Sequence, residues 1–242
     1  MDRRTLTKRL LTVATLATAT GRAAVGAPIE ASEPKKIQGR DGSRFRIRVL
    51  AFDGADEIDF TAPMRVFGFV ATQRPGVDLA LVTLQPRSVV KGAFGMSVAP
   101  DGVLDDVPDL LIVPGGGWVT GAGQGVRAEI GNGALLNAIR ASHQGGAIVA
   151  GACTGAMALA AAGLLDGRPA TTHHNALPDL RRTKAQVVEA RVVDDKDVLT
   201  CGGVTSTFDL ALWIVERFWG ATLADRSTDY LEHSRSLDVL HR

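Results

Sequence analysis

The chain has 242 residues, of which 45% are hydrophobic and 22% charged, and its formal net charge is +1. That length and composition suit one ordinary domain plus an extension, with enough apolar residues to build a core without metal or disulfide staples. Near-neutral charge with no basic stripe argues against nucleic acid as a partner. The two cysteines, Cys153 and Cys201, supply neither a disulfide framework nor a structural zinc pattern.

Residues 1–44 differ in composition from the rest of the chain. Arg3-Arg4 precedes Thr5, Leu6, Thr7 and Lys8, and an apolar, threonine-rich run extends from Leu10 to Thr20, with small residues near Ala27. A charged start, a short apolar stretch and small residues describe a secretory leader. The Arg-Arg-x-Leu-x-Lys order is similar to a twin-arginine signal, which implies export of an already folded protein to the periplasm or beyond. A basic extension on a cytoplasmic protein is the alternative. The apolar run is too short and too rich in threonine for stable membrane insertion. Glu30 to Gly42 reads as a solvated linker, and the folded domain is expected over residues 45–242.

From Phe45 onward, short apolar runs alternate with helical patterns. Phe45 to Phe52, Leu79 to Leu84, Leu110 to Val113 and Ala147 to Ala150 read as strands covered on both faces. Val187 to Val193 and Val198 to Thr200 read as two more strands, joined by the polar turn Asp194 to Asp197. Helices are expected over Ala62 to Ala71, Leu135 to Gln144, Thr154 to Ala162, Thr205 to Phe218 (with Thr205 as its N-cap) and Ala221 to Leu231. Such alternation predicts an α/β domain with a mostly parallel sheet and helices on both faces. Ligands of such sheets sit beyond the carboxyl ends of the strands.

One strand-to-helix junction carries chemistry. Gly151-Ala152-Cys153-Thr154-Gly155 follows the strand ending at Ala150 and opens an Ala/Leu-rich helix. Glycines two before and two after the cysteine match a nucleophile elbow, where the backbone is strained and closely packed. The geometry lifts the sulfur into the cleft at a helix N-terminus, where free N–H groups and the helix dipole are expected to favour thiolate. Gly115-Gly116-Gly117 follows another strand and offers backbone N–H groups for a developing anion. Gly116, with the N–H of Thr154, is the candidate for that role; the Thr154 hydroxyl is a candidate substrate contact or a helix cap.

The runs Asp59-Phe60-Thr61-Ala62-Pro63, Val113-Pro114-Gly115-Gly116, Ala152-Cys153-Thr154-Gly155, Ala170-Thr171-Thr172-His173 and Gly202-Gly203-Val204-Thr205 occur in this order. Together they resemble the DJ-1/PfpI superfamily, and within it the isonitrile hydratase-like branch, over about residues 45–232. The resemblance implies a flavodoxin-like three-layer sandwich, a homodimer, a small-molecule substrate, and no metal or organic cofactor. It also implies that Asp59 reaches the nucleophile as proton carrier, while the alternative for Asp59 is a cap preceding the first helical turn. Asp53, Asp56 and Glu57 compete with it but read as solvated or capping loop acids.

His173 stands where some members have a histidine facing the cysteine, as base or positioning group, and His174 departs from the pattern. His143 and His233 lack motif context and read as surface residues. Cys201 ends a predicted strand and opens toward the same cleft. Either it forms a disulfide with Cys153 in an oxidising compartment or it is an unpaired thiol. The implied activity is cysteine-dependent hydration of small isonitriles to formamides. Glyoxalase- or amidase-like carbonyl chemistry and a non-catalytic sensor domain are the alternatives.

Overall fold

The computed structural model describes residues 39, 42, 44–119 and 123–242. The leader with its twin-arginine-like motif, and all of the linker except Gly39 and Gly42, lie outside the described residues. In chain order the first half runs β1 (Phe45–Leu50), α1 (Glu57–Gln73), β2 (Val77–Thr83), β3 (Val90–Lys91), β4 (Ser97–Val98), β5 (Gly102–Val103), β6 (Leu110–Val113), α2 (Val126–Asn132) and α3 (Ala134–Gln144). The second half runs β7 (Ile148–Gly151), α4 (Gly155–Ala161), β8 (Pro169–Ala170), a 3-10 turn (His174–Ala176), α5 (Leu177–Leu180), β9 (Gln186–Val187), β10 (Val192–Asp195), β11 (Val198–Cys201), α6 (Ser206–Trp219), α7 (Ala221–Leu231) and β12 (Val239–His241).

Eight strands form one sheet in the order β12-β10-β11-β7-β6-β1-β2-β5. Every pairing is parallel except β10 with β11, a hairpin that turns at Lys196-Asp197 with φ of +69° at Lys196. All residues of the central strands β6 and β11 are buried, as their unbroken apolar runs require. Helices α1, α6 and α7 pack together on one face, and α2, α3 and α4 on the other. This is the flavodoxin-like three-layer sandwich.

Several boundaries differ from those expected of the sequence. Helix α1 starts at Glu57 rather than Ala62, because Asp56 caps it by accepting the Ile58 N–H at 3.1 Å. Asp59 therefore lies inside the first turn and is not the cap. The expected strand over 187–193 splits into β9 and the start of β10, with Arg191 turned toward Asp209. Thr205 makes no side-chain capping bond; its hydroxyl accepts from Arg191 at 3.2 Å. Helix α2 and strand β12 were not expected: α2 is short and lies between Gly125 and Gly133, both at positive φ, and β12 has three residues.

Candidate active site

Strands β11, β7, β6 and β1 are neighbours in the sheet, and their carboxyl ends open into four loops. These carry Gly202-Gly203-Val204, Ala152-Cys153, Gly115-Gly116 and Asp53 to Asp56. The parallel register thus brings together residues far apart in the chain, where such sheets hold ligands.

Cys153 has φ of +52°, a left-handed conformation that a non-glycine residue rarely adopts. The flanking glycines permit the turn. A Cβ on Gly155 would collide with the Val113 carbonyl oxygen, and one on Gly151 would come within 2.8 Å of the Ala156 nitrogen. Thr172 Oγ1 donates to the Cys153 carbonyl at 2.9 Å, fixing the bend from a third segment. Val204, β-branched yet at φ of +44°, is a second strained residue, and its N–H points at the Cys153 sulfur.

The side chain of Cys153 is 4% exposed, and this corrects the expectation of a thiolate. Burial and the charge of Asp59 push the thiol up, and Cys201 adds to this; the N–H groups of Val204 and Thr154 oppose them. Loss of hydration outweighs the helix N-terminus. The resting group is a neutral thiol with an acid beside it.

Asp59 is fully buried. Oδ2 accepts the Gly115 N–H at 3.0 Å, Oδ1 accepts the Thr207 hydroxyl at 2.9 Å, and the carboxyl also hydrogen-bonds Cys153. Burial first, then the charge of Asp56, raise its pKa from 3.8 to about 7, despite the donors from Thr207, Gly115 and Cys153. A carboxyl in this range can both give and take a proton near neutrality.

Gly116 and Thr154 are brought together, but not as expected. The Gly116 N–H donates to Thr154 Oγ1 at 2.9 Å, and the Thr154 N–H is directed at the Cys153 sulfur. Neither backbone donor is free for an oxyanion. In the same glycine loop it is Gly115 whose N–H donates to Asp59.

His173 stands apart from the thiol's hydrogen-bonding partners. Its Nδ1 accepts the Asn175 N–H at 3.1 Å, its ring edge lies over Gly203, and it stacks on His174 at 4.2 Å between centroids. Burial and then His174 lower its pKa, so it is a neutral imidazole at pH 7. Both histidines line a cavity of mixed polarity, about 560 Å3, together with Glu189, Arg191, Gly203 and Val204. Val204 also lines an apolar groove of about 450 Å3, with Asp56, Glu57, Ile58, Phe94 and Met96.

The neighbouring acids have distinct tasks. Asp53 ion-pairs with Arg87 and accepts the Lys91 N–H, and that N–H bond, followed by the Arg87 side chain, outweighs burial to lower its pKa. Glu57 is neither solvated nor a cap: Oε1 accepts the Phe94 and Met96 N–H groups, latching the β3–β4 hairpin to α1. His143 and His233 are not free surface groups either. They are part-buried and hydrogen-bond Asp197 at 2.6 Å and Asp209 at 3.0 Å respectively. Cys153 and Cys201 are both free thiols.

Thr207 escapes a reading of the sequence, and Val204 and Thr172, although they lie within the motif runs, receive no role from it. Thr207 follows the Gly-Gly-Val-Thr run by two residues, and only the docking of α6 against α1 carries its hydroxyl to Asp59. Among the described residues no cluster of three or more His, Cys, Asp or Glu is arranged to hold a metal ion. Nor is any described helix long and apolar enough to cross a membrane.

The DJ-1/PfpI family model matches residues 45–217. An isonitrile hydratase of Pseudomonas putida is 34% identical over 196 residues, covering 78% of this chain and 78% of that protein. Protein DJ-1alpha of Drosophila melanogaster is 26% identical over 181 residues. The HTH-type transcriptional regulator CdhR of Pseudomonas aeruginosa is 34% identical over 139 residues, which cover 56% of this chain and 39% of the regulator. Among solved structures, a THiJ/PfpI family protein from Pseudomonas syringae superposes with a TM-score of 0.72 at 23% identity, covering 90% of this chain and 85% of that one. Drosophila DJ-1beta gives 0.67 at 23% identity, covering 79% of this chain and 99% of that one. These likenesses agree with the topology and the glycine-flanked cysteine turn: the chain belongs to the DJ-1/PfpI family.

Proposed function

We propose that the protein is a cysteine-dependent hydratase that converts small organic isonitriles to N-substituted formamides. The observation that carries this reading is the buried pair of Cys153 and Asp59, with the carboxyl raised to about 7 and hydrogen-bonded to the thiol. The likeness to an isonitrile hydratase supports the choice of substrate.

The sulfur of Cys153 bonds to the terminal isonitrile carbon. The thiol proton passes to Asp59, which supplies a proton to that carbon, leaving a thioimidate. Asp59 then takes a proton from water as the oxygen adds to the same carbon. Asp59 passes that proton to the substrate nitrogen, the carbon–sulfur bond breaks as the added hydroxyl's remaining proton returns to sulfur, and the formamide leaves with water's oxygen. Thr154, whose hydroxyl oxygen already accepts from Gly116, turns its own proton to the substrate nitrogen. The apolar groove beside Val204 takes the organic substituent. The chain acts as a homodimer, for which the exposed apolar side chains Phe94 and Met96 on the β3–β4 hairpin offer a surface.

Formamide production from an alkyl isonitrile, followed by NMR, tests this. Turnover that disappears in Cys153→Ala is expected. An inert wild-type protein that instead consumes methylglyoxal would replace the reading with carbonyl chemistry. Saturable binding with neither activity would make it a sensor domain.

A further inference from the structure

Behind the reacting pair lies a second buried thiol that the hydration route does not use. Cys201 is fully buried at the end of β11. Its sulfur accepts the backbone N–H of Cys153 and stands 4.0 Å from Thr207 Oγ1. Thr207 is itself buried and touches Asp59 Oδ1 at 2.9 Å.

Donor counting gives these contacts a direction. A threonine hydroxyl has one proton and two lone pairs. A charged Asp59 carboxylate can only accept, so the Thr207 proton points at Oδ1. The Thr207 lone pairs then face Cys201, whose S–H must be the donor in that contact. The sequence of donors is Cys153 N–H to Cys201 sulfur, Cys201 S–H to Thr207 oxygen, and Thr207 O–H to Asp59. The last acceptor hydrogen-bonds the Cys153 side chain, which closes a ring of four residues. From the Cys153 N–H through Cys201 and Thr207 the donors run in one sense and polarise one another, and the Cys153 S–H meets them at Asp59 from the other side.

We propose that Cys201 and Thr207 are positioning residues: the buried thiol turns the Thr207 hydroxyl onto Asp59, and that hydrogen bond holds the carboxyl against Cys153 and stabilises its charged form. The inference rests on the hydratase reading only in taking Asp59 as the proton carrier of Cys153. It gives Cys201 a task as a donor rather than as a disulfide partner. Cys201 is suited to it because burial, with the charge of Asp59 adding, pushes its pKa up to about 12, so the S–H stays in place across the physiological range. The other titratable or charged groups acting on the ring are Asp56, which raises Asp59, and Arg191, which lowers Cys201.

The test needs no isonitrile. Alkylation of Cys153 by iodoacetamide, with the adduct located by peptide mass, is followed against pH. The wild-type rate rises through a midpoint near 7, set by the Asp59–Cys153 pair. Thr207→Val removes the donor and moves the midpoint up by about one to two pH units, while Thr207→Ser returns it toward wild type. Cys201→Ala shifts it the same way by less, and Cys201→Ser, which keeps a donor, restores it. An unmoved midpoint in folded Thr207→Val overturns the inference. If that variant does not fold, an unmoved midpoint in Cys201→Ala overturns it equally. Loss of thermal stability without a shift would mean that both residues only pack. Asp59→Asn separates the two levels: if the midpoint near 7 survives in that variant, Asp59 is not the titrating group, and both the proton-carrier reading and this inference fall. If it vanishes while Thr207→Val leaves the midpoint unmoved, only the inference falls.

Discussion

The carboxyl of Asp59 hydrogen-bonds the thiol of Cys153 in a place where neither group meets bulk water. A carboxylate beside a thiolate there would confront two like charges in a medium of low dielectric. Above about pH 7 the thiol therefore keeps its proton, and it is Asp59 that gives one up. Asp59→Asn keeps the shape but cannot exchange that proton, so its hydration rate is expected to fall by about 10^2 to 10^4. An unchanged rate of formamide release would show that another group carries the proton.

The same carboxyl makes stability depend on pH in a defined sense. Its pKa rises from 3.8 to about 7 on folding, so between these values the native state binds more protons than the unfolded one. Stability is full below pH 3.8 and falls as pH climbs through 7, by at most about 4 kcal/mol for this group. Asp59→Asn lacks this dependence. Denaturant unfolding at pH 5 and pH 8 is expected to show the variant gaining on the wild type at the higher pH, and a constant difference would refute the assignment.

The two glycines of the cysteine turn differ from ordinary loop glycines because backbone fills the space where a side chain would go. Gly155→Ala would press its methyl into the Val113 carbonyl oxygen. A loss of about 1–3 kcal/mol is expected from the denaturation midpoint, with a fall in Cys153 alkylation rate as the turn shifts. Gly163→Ala is the control for strain alone. It has φ of +83° but meets no atom within 4 Å, and it lies at the far end of α4.

His173 is expected to matter little for isonitrile hydration. Its Nδ1 is engaged by Asn175 and its ring edge by Gly203. His173→Gln should keep at least about a tenth of the wild-type rate, since the loss of a true acid–base group costs about 10^2 or more. A collapse of a hundredfold or more would return histidine to the mechanism and favour carbonyl substrates.

Export through the leader is tested separately from chemistry. Arg3→Lys with Arg4→Lys is expected to trap the protein in the cytoplasm, read by cell fractionation. Equal distribution of variant and wild type would mean that the basic start is an extension without a targeting role.

What the sequence by itself determined was local. Uninterrupted apolar runs such as Leu110 to Val113, bounded by turn residues, read as buried strands, and glycines spaced around Cys153 mark a turn that few other residues could make. The Asp59 motif was legible through resemblance. What the tertiary structure decided was everything that depends on water and on partners from distant segments. Burial, not helix position, sets the protonation of Cys153. Gly116 is spent on Thr154, and Thr207 reaches Asp59 only because α6 docks against α1. A residue's type fixes which protons it owns, but which partner accepts them, and whether solvent competes, is set by packing across the whole chain.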